Sequence, residues 1–85
     1  MDFRNTAKYV PALYRGELPL TDGHFVHIRP YWVRDNYPEG YTEDHRHITG
    51  RVVLDAPVLG IPEIVRVRVA WSQEPIEIPS KDLMF

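Results

Sequence analysis

Eighty-five residues with a formal net charge of −2 and no cysteine make one domain and exclude a disulfide framework and any thiolate-held zinc or iron–sulfur site. The near-neutral balance supplies no overall field that would draw the chain to nucleic acid or anionic lipid. Eight prolines leave little room for long helices, so stability is expected to come from sheet and a single modest core.

The opening Met1-Asp2-Phe3-Arg4-Asn5 is not followed by an apolar signal core, and no run approaches the ~18 apolar residues of a membrane span. A cytoplasmic location is therefore expected. Residues 1–22 read as an N-terminal arm that packs on the body of the domain or on a partner. Tyr9, Val10, Leu13 and Tyr14 have the spacing of a short helix, with Pro11 tolerable in its first turn. Pro19 between Leu18 and Leu20 favours extended chain.

Thr21-Asp22-Gly23 is a turn signal. His24 to Arg29 then alternates as a strand, with Val26 and Ile28 inward and His27 and Arg29 outward. Pro30 ends it. Residues 30–47 read as one connection of eighteen residues, long enough to suggest function. It gathers Tyr31, Trp32, Tyr37 and Tyr41. Residues 48–54 form a second strand in which Gly50 marks a bend or bulge. Asp55 to Pro62 is a loop punctuated by proline and glycine.

The clearest signal is 63–71. Val65, Val67, Val69 and Trp71 fall on one side and Arg66 and Arg68 on the other, a period of two that gives a strand one buried and one wet face. Ile76-Glu77-Ile78 is a short strand ended by Pro79. Ser80 to Leu83 reads as one helical or 3-10 turn capped by Ser80. Met84-Phe85 either closes the core or pairs as a last edge strand. The expected core is Val26, Ile28, Val52, Leu54, Val65, Val67, Val69, Trp71, Ile76, Ile78 and Leu83.

This succession over residues 24–85 resembles the SH3-like small barrel. The likeness rests on Val26-His27-Ile28, Gly50-Arg51-Val52-Val53, Val65-Arg66-Val67-Arg68-Val69 and Ile76-Glu77-Ile78-Pro79-Ser80-Lys81-Asp82-Leu83. It implies an all-β domain (23–85): an antiparallel barrel of about five strands, a long loop after the first strand, and a short 3-10 turn before the last. Within that superfold the pattern looks nearest to accessory barrels of larger complexes. These include the photosystem I stromal barrel subunit, the ferredoxin–thioredoxin reductase variable chain and the barrel of the nitrile hydratase β subunit. The superfold carries no single function with it.

Four chemistries can be weighed on the residues. His45 and His47, beside Glu43 and Asp44, would point the same way on an extended segment and could hold a metal, with His24 or His27 as a third ligand. Solvated loop histidines are the plainer expectation, so neither metal nor cofactor is expected. No nucleophile sits at motif spacing from a histidine and an acid, and no glycine-rich phosphate loop is present, so catalysis is not expected. Tyr, Trp and Arg dominate interface hot spots. On that ground the favoured expectation is a non-catalytic accessory or adaptor protein that docks on a larger protein assembly through Tyr31, Trp32, Arg34, Tyr37 and Tyr41, with Tyr9, Leu13 and Tyr14 of the arm. A viral or mobile-element protein, including an inhibitor, would fit so small a chain. The alternative is a small nucleic-acid-binding barrel using Arg51, Arg66 and Arg68 with exposed aromatics. Nearby acids weigh against it, and cross-strand pairing of Arg66 and Arg68 with acids such as Glu77 is the plainer expectation.

Overall fold

The computed structural model describes residues 13–85. Of the expected arm helix, Tyr9, Val10 and Pro11 lie outside the described residues, and Leu13 and Tyr14 are helical. The order is β1 (Pro19–Leu20), β2 (Phe25–Ile28), α1 (Pro30–Asn36), β3 (Thr49–Val52), β4 (Val58–Leu59), β5 (Ile64–Arg68), β6 (Ile76–Pro79) and β7 (Leu83–Met84). Three 3-10 turns lie at Pro38–Gly40, His45–His47 and Ser80–Asp82.

The main sheet has five antiparallel strands in the order β6-β5-β3-β2-β7. It curls into an open half-barrel. This corrects the expected barrel: β6 and β7 stand at opposite ends of the sheet and do not pair, so the curl does not close. A separate two-stranded ribbon joins β1 to β4, with Pro19 opposite Leu59 and Leu20 opposite Val58.

Alternation decides which face is buried. Along β5 the burial reads exposed, buried, exposed, buried, exposed, and β2 and β6 alternate in the same way. The inner face therefore carries Val26, Ile28, Val52, Val65, Val67, Ile76, Ile78 and Leu83, all buried. Leu13, Leu20, Val33, Ile48, Val69 and Phe85 complete the core, and Leu54 and Trp71 pack against it while half-exposed. Leu13 and Leu20, which precede β2, are thus part of this core.

Gly50 makes no bulge. It is paired opposite Val26, and a Cβ there would strike the Val67 side chain and stand 2.7 Å from the Arg68 carbonyl oxygen. Glycine is what lets β3 and β5 pack this closely at that point.

The connection 30–47 is not the long irregular loop expected from its length. Pro30 ends β2 and at once occupies the first turn of α1. That position needs no N–H donor and favours the fixed proline φ. The helix buries Val33 and stops where Tyr37 N–H donates to the Val33 carbonyl at 2.7 Å, just before Pro38. Its start is tied to the C-terminal turn. Arg29 N–H donates to the Asp82 carbonyl at 2.9 Å, and the Tyr31 hydroxyl donates to the Asp82 carboxylate. Asp82 is itself buried, at 3% exposure. The turn at Ser80–Asp82 is present as expected, but Pro79 occupies its cap position and no side chain caps it. Leu83–Met84 pairs with β2 and Phe85 is buried, so the C-terminus does both things expected of it.

Candidate functional site

The same alternation that buries the valines turns a second set of side chains outward on the sheet. On β2 these are Phe25 and His27, on β3 Arg51, on β5 Arg66 and Arg68, on β6 Glu77 and on β7 Met84, all exposed. Register then brings some of them side by side. Phe25 is opposite Arg51, and Arg51 is opposite Arg68. One row across three neighbouring strands therefore reads Phe25, Arg51, Arg68. Arg66 follows Arg68 on the same strand face, about 7 Å further along.

Within the row the Arg51 guanidinium lies over the Phe25 ring, 5.0 Å from its centroid. The Arg51 Nη1 donates to the Gly23 carbonyl at 3.4 Å. The His27 ring meets Phe25 edge-on at 5.1 Å. Phe25 remains 43% exposed, so ring surface is left free. The charge on this face is unbalanced. Arg66 stands opposite Glu77, whereas Arg68, expected to meet an acid, stands opposite another arginine. Among the described residues, Arg15, Arg34 and Arg46 pair with Glu17, Asp35 and Asp44. Among the described residues, Arg51, Arg66 and Arg68 take part in no such ion pair. Like charges placed directly opposite destabilise a sheet, so the Arg51–Arg68 pair is an electrostatic cost that the free fold carries.

The residues expected to form a docking surface differ in exposure. Leu13 is 3% exposed and belongs to the core. Trp32 and Tyr37 are half-buried against the core, their rings 5.8 Å apart. Tyr31 is 50% exposed and is held by its bond to Asp82; that bond, and then its partial desolvation, push the phenol above its usual pKa. Arg34 is exposed and donates to Asp35 at 3.2 Å. Tyr41 is at the edge of exposure beside His45, and Tyr14 lies edge-on to Phe85 at 6.1 Å. What these residues keep at the surface is Tyr14, Tyr31, Arg34 and Tyr41.

His45 to His47 is a 3-10 turn, not the extended segment on which residues two apart share a side. Among the described residues no group of three His, Asp or Glu side chains is placed to hold a metal ion. A cleft of about 250 Å³ is lined by Leu13, Leu18, Pro19 and His24, smaller than usual small-molecule sites. Burial there, and then the Arg51 charge, lower the His24 pKa. Among the described residues, no helix is long and apolar enough to cross a membrane.

Phe25 was not among the sequence candidates. The period of two places it outward on β2, but its neighbour on β3 depends on register across a long connection. No protein-family model, curated protein or solved structure matches the chain.

Proposed function

We propose that this chain is a non-catalytic binding module whose outer sheet face takes nucleic acid. The observation that carries the reading is the Phe25–Arg51–Arg68 row with Arg66 beside it. These are the residue types that hold phosphates and bases, set on one exposed face by strand register. Of the acids that weigh against this reading in the sequence, Asp55 lies in the loop after β3 and Glu63 directly before β5, both exposed. Asp35, Glu39, Glu43 and Asp44 lie on the connection between β2 and β3, and Asp35 and Asp44 engage Arg34 and Arg46 there. Glu77 is the acid that β6 sets opposite the arginine set. A phosphate bound between Arg51 and Arg68 would relieve their repulsion.

The order of the main sheet, with the last strand β7 beside its first strand β2, supports placing the fold as an opened relative of the SH3-like barrel. Titration of labelled single-stranded and duplex oligonucleotides, followed by fluorescence anisotropy, tests the reading. Three phosphate contacts predict a log–log salt slope of about −2 on a single strand and somewhat steeper on a duplex. No binding at low salt, or binding that salt does not weaken, refutes it.

A second reading, docking on a larger protein assembly as an accessory subunit, is favoured by Tyr31. It is an exposed aromatic fixed by a bond to a buried carboxylate, and rigid aromatics suit interface anchors. Pull-down with and without nuclease separates the two. A stoichiometric protein partner that survives nuclease supports the second.

A further inference from the structure

We infer that the strand held on the outer face is single-stranded, with a base stacked on Phe25 and its flanking phosphates on Arg51, Arg68 and Arg66. The inference rests on the nucleic-acid reading and narrows it. Phe25 has no part in the core and is 43% exposed. It stands on a sheet surface with the Arg51 guanidinium over its ring, 5.0 Å from the centroid, and the His27 ring edge-on to it at 5.1 Å. An open base stacks on exposed ring surface regardless of its identity. A duplex keeps its base faces inside its own stack and offers only phosphates and edges.

Dimensions agree. Adjacent strands lie about 4.8 Å apart, so the row from Phe25 to Arg68 spans about 10 Å. That is room for a few nucleotides crossing the β-strands, ring end first and arginine end after. Three arginines on a short curled sheet give little for the two backbones of a duplex. The expected ligand is therefore an unstructured stretch of RNA or DNA, bound with little sequence preference and with strong dependence on salt.

The test compares oligo(dT), a duplex of equal length and inorganic polyphosphate, using the full chain and its Phe25→Leu and Phe25→Trp variants. Circular dichroism verifies the fold of each. Oligo(dT) is expected to bind more tightly than the duplex or polyphosphate. Phe25→Leu should weaken oligo(dT) about 10-fold and leave polyphosphate unchanged, while Phe25→Trp should retain oligo(dT). If the duplex binds as well as oligo(dT) and Phe25→Leu changes nothing, base stacking is wrong while nucleic-acid binding stands. If Phe25→Trp loses oligo(dT) as fully as Phe25→Leu, the ring is not a stacking platform and the inference falls. If the folded chain binds none of the three at low salt, both readings fail together.

Discussion

Replacing Gly50 with alanine probes the contact that aligns the arginine row. The added methyl would meet the Val67 side chain and, at 2.7 Å, the Arg68 carbonyl oxygen. A side chain can turn away, but a backbone oxygen inside a sheet can move only if β5 moves. Overpacking of this kind costs about 1–3 kcal/mol. The variant also loses unfolded-state freedom, which returns about 0.4–1 kcal/mol. Gly50 has no positive φ, so backbone strain adds nothing. The net loss is about 1–2 kcal/mol. At ~4–8 °C per kcal/mol for a domain of this size, Tm should fall by about 5–15 °C. Thermal denaturation followed by circular dichroism reads it directly. A Gly50→Ala chain that melts within a degree or two of the parent would mean that β3 and β5 are not packed this closely, and the row on their outer face would lose its basis.

Three further outcomes are expected. Val67 is fully buried, so Val67→Asp places an unpaired charge in the core and should abolish the cooperative melting transition; a native-like transition would mean the strand faces the other way. Arg68→Glu turns the like-charge pair with Arg51 into an opposite-charge pair, so it should stabilise the fold by ~0.2–1 kcal/mol while removing oligonucleotide binding; lower stability together with unchanged binding would contradict the electrostatic account. The His24 pKa is lowered by burial and then by Arg51. The unfolded chain therefore takes this proton more readily, and the His24 contribution is intact above about pH 6.5 and is lost as pH falls from there through the lowered folded-state value. His24→Gln should flatten that part of the stability-versus-pH curve, and an unchanged slope would count against it.

What the sequence made legible is what alternation encodes. From Val65 to Arg68 the pattern of apolar and charged residues matches the pattern of burial position by position, because a strand with one wet face leaves no other choice. The short turn before Leu83 was readable from its polar residues, though not its cap, since Pro79 took the position assigned to Ser80. The helix at 30–36 was hidden because proline after a strand reads as a terminator, while proline at a helix start is equally favourable. Ile48, Leu20 and Phe85 join the core from outside any clear alternation. The open half-barrel was not legible either, because whether β6 and β7 meet depends on how far the sheet curls. The arginine face followed from alternation alone. Its alignment with Phe25 did not, since cross-strand register is a tertiary fact. The fates of Trp32 and Tyr37 were equally closed to the sequence until the rotation of α1 was known.

Two-dimensional NMR of the isotope-labelled chain during titration with oligo(dT) tests the central claim most directly. The account predicts shift changes concentrated at Phe25, His27, Arg51, Arg66 and Arg68. Changes centred instead on Tyr31, Arg34 and Tyr41, or no changes at low salt, would contradict it.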